Sequence, residues 1–362
     1  MAYEPLFTVT PHLLNLLEEI ASFREKILAA TIQVPWIPAL QKDARARSGH
    51  SSTAIEGNPL TLAEVRLLEE GKSLSSSTER ATREILNYFA GLRYIEKHVK
   101  KKLITHEDLF ELHSLLSSNV MDQGEAGQYQ PFVSVGTGKR LSPPGGRGTS
   151  RYRTFQVRVG HHVPPPAAQV SGLMRELLEW WNQKSKAWSP VITSAVLHYR
   201  FEAIHPFGDG NGRTGRMLAL WELYRRGFDT HHIFSVDEVF WEKRPLYYQN
   251  LALVQREGDD LTGWLEYNAE ALHLTLERVW GRIQRLKGER GEGKIVLNPK
   301  QERLLGMLRD QQSLSPQEIW KALDMTKQGA MKLINPLIKA GLIKRIGSKK
   351  TGKYIFTDSE KQ

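Results

Sequence analysis

Between His205 and Arg216 the chain reads HPFGDGNGRTGR. One short run thus holds an imidazole, a carboxylate, a carboxamide and two guanidiniums among glycines. His205 is the group most readily used as a base near neutral pH. Asp209 is a hard oxygen ligand, placed where a metal could bridge phosphates. Arg213 and Arg216, three apart on one helix face, can fork phosphate oxygens. Gly, Asn and Asp tolerate unusual turn geometry. Main-chain N–H groups at a helix start lack partners and favour an anion. The chemistry offered is a base beside a phosphate cradle.

Two helical patterns flank this run. Ile192, Ala195, Val196 and Tyr199 recur at i, i+3, i+4 and i+7 before it, and Met217, Leu218, Leu220, Trp221 and Tyr224 continue after it to Gly227. Phe207 reads as an anchor packing the loop into the core. A Gly-rich turn with solvated arginines is the plain alternative for any shorter piece of this pattern.

Upstream, helical patterning covers Leu13–Ala29 and resumes at Asp43. A helix carrying Ser52 and Glu56 should end at Gly57-Asn58-Pro59, and Thr61 with Glu64 has capping-box spacing. By composition alone Glu56 is a surface carboxylate at a helix end. Thr105 starts another capped helix, with Leu109, Leu112, Leu115 and Leu116 apolar. Residues 127–136 and 151–160 alternate and end in Val-x-Val-Gly, so both are expected as short strands. Gln130 of the first run stands where the second has Arg153, and residues 137–150 between them form a loop. His161-His162 follows without a spaced third ligand, which disfavours a metal pair. Ser171–Asn182 is an amphipathic helix, and Trp180, Trp181 and Trp188 are assigned to the core. Tyr247, Leu251 and Val254 have helical spacing.

The run HPFGDGNGRTGR resembles the Fic family signature, HPFx(D/E)GNGRxxR, at every specified position. The resemblance covers roughly residues 45–270. It implies a mainly α fold, a Fic-type helical core with a small β-hairpin flap. It implies transfer of AMP from ATP to a Ser, Thr or Tyr hydroxyl of a protein, with Mg²⁺ as cofactor. His205 would take the hydroxyl proton and Asp209 hold Mg²⁺. Gly210, Asn211, Gly212, Thr214 and Gly215 belong to the ATP-binding run, with Asn211 contacting phosphate through its side chain. Arg213 would neutralise departing pyrophosphate, and Arg216 fix the γ-phosphate. Ser52-Thr53-Ala54-Ile55-Glu56-Gly57 is similar to the family's (S/T)xxxE(G/N) inhibitory motif. Glu56 would then pair with Arg216 in place of the γ-phosphate. Residues 151–166 resemble the flap, with Val159, Gly160, His161 and His162 placing the target. Tyr247 and Tyr248 match a Tyr-Tyr pair at the adenine, and Gln255 stands where an Asn is common.

The implied domains are an N-terminal segment at 1–98, a catalytic core at 99–270, a helical linker at 271–295 and a terminal domain at 296–357. In the last, helices at Pro299–Arg309, from Ser315-Pro316 and at Thr326–Ala340 precede strands around Leu342–Gly347 and Lys353–Phe356. That order resembles a winged helix-turn-helix. Lys327, Gln328 and Lys332 would read a groove, and Lys349, Lys350 and Lys353 would meet phosphate.

With 362 residues and a net charge of +10, the chain can bury a large core in two or three domains. Residues 291–357 carry 13 Lys and Arg against 5 Asp and Glu, so much of the basic excess is local and points to DNA or another acidic partner. The lack of cysteine excludes disulfide staples, thiolate catalysis and cysteine-ligated zinc. No run approaches the roughly 20 apolar residues of a membrane span, and MAYEPLFTVT has no signal-peptide pattern. A cytoplasmic protein with a protein substrate is expected, and a homodimer is the expected assembly. An ATP-sensing DNA regulator and an AMP-removing enzyme are the competing expectations.

Overall fold

The computed structural model describes residues 3–31, 37–74, 79–118, 120, 152–160, 162–229, 231–289, 299–311, 313–339, 342–347 and 352–357. Helices dominate, as the periodicity predicts. The chain divides into two compact units, Met1–Ile27 with Pro38–Trp280, and Leu28–Ile37 with Gly281–Gln362.

At the centre of the first unit are α7 (Pro190–Ile204) and α8 (Asn211–Arg225), the most extensively packed pair. Ser189 caps α7 from its side chain, with Pro190 at the first helical position. Nearly all of α7 is buried, from Val191 through Ile204, so it is apolar all round rather than amphipathic. Gly215 lets the two helices approach: a Cβ there would lie 2.5 Å from Glu202 Oε1. The amphipathic helices α4 (Glu79–Lys97) and α5 (His106–Ser117) pack on α8 and each other.

The helix predicted to carry Ser52 is α2 (Ile37–Ile55). Gly57 ends it at φ 97°, and the Asn58 amide then binds the Ala81 carbonyl and Glu84. The capping box of Thr61 and Glu64 opens α3 (Leu62–Glu69), and Thr105 caps α5 through Asp108. Beyond α6 (Ala167–Glu179), one π-helical turn at Trp180–Lys184 buries Trp180 and Trp181. Trp188 departs from its core assignment. It is 40% exposed and packs edge-on against Phe7, because it falls after the helix has ended. Three further helices complete this part of the chain: α9 (Asp237–Glu242), α10 (Arg244–Arg256) and α11 (Thr262–Glu289).

The strand expected at 151–160 does not form over its described residues. Only a bridge between Val159 and His162 remains, closed around Gly160 at φ 56°. Polar groups that would make a ladder are engaged elsewhere: Arg153 N donates to the Pro206 carbonyl, and the Arg153 side chain takes the Phe155 carbonyl. The prolines at 164–166 offer no N–H. The run expected at 127–136, the loop 137–150 and His161 lie outside the described residues.

In the second unit, α12 (Pro299–Gln311), α13 (Pro316–Ala322) and α14 (Lys327–Lys339) precede β1 (Ile343–Ile346) and β2 (Lys353–Phe356). The strands pair antiparallel, Ile343 opposite Phe356 and Ile346 opposite Lys353. Leu304, Leu308, Ile319, Ile334, Leu337, Ile343 and Tyr354 fill its core. This is the predicted winged helix-turn-helix order. Lys349 and Lys350 lie outside the described residues.

Candidate active site

His205 ends α7 in the left-handed region, at φ 49° and ψ 62°. That conformation costs a non-glycine residue roughly 1–2 kcal/mol, so the surroundings must hold it. Arg153 does so: its Nε donates to the His205 carbonyl at 2.8 Å. The imidazole is buried, and its pKa is pulled down to about 3, first by desolvation and then by the neighbouring His162 and Arg153. The ring therefore stays neutral near pH 7 and can accept a proton. Glu202 lies one turn back, with Oε2 3.9 Å from His205 Nδ1. Burial pushes the Glu202 carboxyl up to about 8.

The loop after His205 is pinned from within. Phe207 is fully buried, and the His113 ring stacks on it at 3.7 Å. The Asn211 side chain is engaged within the loop itself. Its Oδ1 accepts from Phe207 N and its Nδ2 donates to the Phe207 carbonyl, so the amide closes the loop. His113 also binds the Asp209 carbonyl at 2.9 Å. Gly210 caps α8 at φ 75°, and the Thr214 hydroxyl returns to the Gly210 carbonyl. These contacts aim the first N–H groups of α8 at one spot.

Two buried arginines face that spot. Arg213 is 5% exposed, its nearest acid is Asp209 at 3.8 Å, and its Nε and Nη1 have no hydrogen-bond partner among the described residues. Such a guanidinium fits an anion not yet bound. Arg216 is fully engaged instead. It donates to Ser52 Oγ at 2.8 Å, to the Ser52 carbonyl at 2.8 Å and to Glu56 Oε1 at 2.7 Å. The Glu56 carboxylate also stands over Gly212, where a Cβ would clash with Oε1. A carboxylate thus sits at the helix start where a phosphate would be favoured.

The Tyr pair divides. Tyr247 on α10 is buried, and its hydroxyl meets His198 at 3.0 Å and Arg216 at 3.5 Å. Tyr248 is 40% exposed, under the Arg244 guanidinium. Gln255 donates to His162 Nδ1, which fixes the His162 tautomer so that Nε2 donates to the Ala203 carbonyl. Gln255 therefore contacts the flap in this structure. Gly215 serves helix packing. Reasoning from spacing missed His113, and it noted Arg153 only as a difference between two runs. The buried Tyr88–Asp237 pair behind Ser52, 2.9 Å apart, carried no sequence signal.

Asp209 fits a hard cation. Its side chain is one-third exposed, and Oδ1 accepts only the adjacent Gly210 N–H. Among the described residues no group of three His, Cys, Asp or Glu could hold a metal by itself, so substrate oxygens would have to complete any shell.

The Fic/DOC family matches residues 103–223, and the MarR family matches residues 297–353. The chain carries a Fic/DOC family domain. A MarR-type winged helix domain follows it at the C-terminus. The chain is 32% identical over 240 residues to a protein adenylyltransferase Fic from Drosophila willistoni, covering 66% of this chain and 42% of that one. It is 30% identical over 264 residues to its namesake from Drosophila ananassae, covering 72% of this chain and 47% of that one. The chain thus spans less than half the length of these curated relatives. A Fic family protein from Desulfovibrio desulfuricans G20 superposes with a TM-score of 0.64 at 25% identity, covering 99% of this chain and 100% of the other. A Fic-1 structure from C. elegans shares the fold over 75% of this chain and 73% of its own, with a TM-score of 0.56 and 23% identity. In the Fic domain of this chain, the signature supplies α8 and the loop before it, while Glu56 comes from outside the matched span.

Proposed function

We propose that this chain is a protein adenylyltransferase held back by its own α2. The observation that carries the reading is the juxtaposition of a buried neutral His205 with a helix-start anion cradle whose second arginine is occupied by Glu56. The target hydroxyl oxygen attacks the α-phosphorus of ATP, and the bond to the β-phosphate bridging oxygen breaks. His205 takes the hydroxyl proton, and pyrophosphate leaves. Arg213 offers two unpaired nitrogens to the departing charge. Arg216 fixes the γ-phosphate once Glu56 has swung away. Asp209 would hold Mg²⁺, which when bound neutralises phosphate charge. Every other contribution is positioning and electrostatics. No described helix is long and apolar enough to cross a membrane.

The test is incubation with α-labelled ATP and Mg²⁺, using wild type, Glu56→Gly and His205→Ala. Stronger protein labelling, including self-labelling, is expected for Glu56→Gly. Equal labelling by wild type and Glu56→Gly would sink the inhibitory reading. Transfer from γ-labelled ATP would make the reaction phosphorylation. Loss of label from a pre-labelled protein with wild type, absent with Glu56→Gly, would assign the reverse reaction.

A second reading concerns the C-terminal domain, and the MarR-family match favours it. Lys327, Gln328 and Lys332 at the start of α14 are exposed, as is Lys353 of β2. They suit groove and phosphate contacts on DNA.

A further inference from the structure

Four consecutive main-chain carbonyls close α7 and open the signature loop, those of Ala203, Ile204, His205 and Pro206. A helix end leaves such acceptors without intrahelical donors. Here the flap supplies them. His162 Nε2 donates to Ala203 at 3.0 Å, and Arg153 takes the other three. Its Nη2 lies 3.4 Å from the Ile204 carbonyl, its Nε 2.8 Å from that of His205, and its main-chain N 2.8 Å from that of Pro206. The same guanidinium turns back on the flap, with Nη2 2.6 Å from the Pro165 carbonyl and Nη1 3.1 Å from that of Phe155. The residue is 4% exposed, and every acceptor it uses is a carbonyl of the main chain.

We propose that Arg153 is a positioning residue that locks the flap to the main chain of His205, so that the segment presenting the target and the base receiving its proton hold one geometry. Three observations carry this. A buried cation bonded only to carbonyls stays there because its planar fork spans both segments, which a lysine could not do. His205 sits at a left-handed φ of 49°, and the Arg153–carbonyl bond holds the residue there. His162, itself steadied by Gln255, ties the far end of the flap to the same helix terminus. The clamp therefore has two points of attachment, and its Arg153 end is buried away from screening by salt. The proposal rests on the transferase reading, since it assigns the flap to target placement.

The test uses full-length protein in the Glu56→Gly background, comparing Arg153 with Arg153→Lys and Arg153→Gln. Displacing a catalytic group by about an ångström can cost two orders of magnitude. Arg153→Gln is expected to lower kcat for label transfer by roughly 10- to 100-fold, with the KM for ATP unchanged. The titratable and charged groups facing His205 are Glu202 from α7, His162 and Arg153 from the flap, and Glu56 at the end of α2. Removing the Arg153 cation leaves less to oppose protonation, so the acid limb of kcat should move to higher pH. Arg153→Lys keeps the charge but not the fork: it should lose kcat and keep the acid limb. A merely structural arginine would cost folded protein in Arg153→Lys while leaving the kcat of the folded fraction unchanged. Unchanged kcat in Arg153→Lys overturns the clamp. So does an Arg153→Gln loss that lies wholly in the KM for ATP. If the Glu56→Gly parent transfers no label, the transferase reading fails on its own. NMR of the His205 ring, assigned against His205→Ala, then decides the clamp. A His205 ring resonance in Arg153→Lys unchanged from the parent overturns it, and a displaced resonance supports it.

Discussion

Glu56 Oε1 lies 2.7 Å from Arg216 Nη2, and the same oxygen covers the backbone of Gly212 at the start of α8. One carboxylate therefore meets both partners that an anion would seek there. Ser52, one turn earlier on α2, holds the Nε–Nη2 edge of the guanidinium through its hydroxyl and its carbonyl. Arg216 thus stays anchored when Glu56 leaves. Glu56→Gly should raise AMP transfer roughly 5- to 150-fold, the span of a typical coupling between two sites. Quantified α-label incorporation checks this. Ser52→Ala should instead lower the activity of the Glu56→Gly protein, because it removes the hydroxyl half of the Arg216 anchor and leaves only the carbonyl.

His205→Ala should reduce transfer by about 10² to 10⁴-fold, the usual contribution of a positioned base. Its ATP affinity, read by calorimetry, should remain near that of Glu56→Gly alone when both are compared in that background.

Arg213 carries two buried nitrogens without partners among the described residues. In the absence of nucleotide that is an uncompensated desolvation, so Arg213→Met should leave the unliganded protein at least as stable. With ATP the order reverses. Saturating ATP stabilises a binding-competent protein by about 2.7 kcal/mol at a hundredfold excess over Kd. Arg213→Met should lose most of that gain. Thermal melts with and without ATP decide it.

His198 is buried against Tyr247, and burial pulls its pKa down to about 3. The unfolded chain takes up this proton near pH 6.5 and the folded one does not. The folded state therefore loses stability as pH falls from 6.5 toward 3. At pH 5 the loss is about 2 kcal/mol for one such group. Glu202, raised to about 8, contributes with the opposite sign: its stabilisation is full below the ordinary carboxylate range and fades as pH rises through 8. The total slope mixes these with other buried groups, His205 among them. The His198→Gln difference isolates one: that variant should be less stable at pH 7, but its further decline to pH 5 should be shallower by about 2 kcal/mol. Denaturant titrations at the two pH values measure it.

If the C-terminal domain binds DNA, Lys327→Ala and Lys332→Ala should each reduce the salt dependence of binding by about one counterion. Fluorescence anisotropy across a salt series reads this directly. Binding insensitive to salt, or to these lysines, would point to a protein partner.

Local chemistry was legible in the sequence wherever the cause lies within a turn or two. The caps at Thr61 and Thr105, the glycine stop at Gly57 and the apolar spacing of α8 all form as read. So does the pairing of Glu56 with Arg216, which the family signature implied across 160 residues. Tertiary structure decided the rest. The flap run alternates like a strand, yet its polar groups turn to the end of α7, so no ladder forms. The Asn211 amide carries no sign of its partners in the sequence, and in the fold the Phe207 main chain engages both of its ends. Arg153, His113 and Glu202 acquire their meaning only because the fold removes water from around them. A sequence states which side chains carry charge or hydrogen bonds. Which of those groups must find partners depends on burial, and burial is a property of the packed chain.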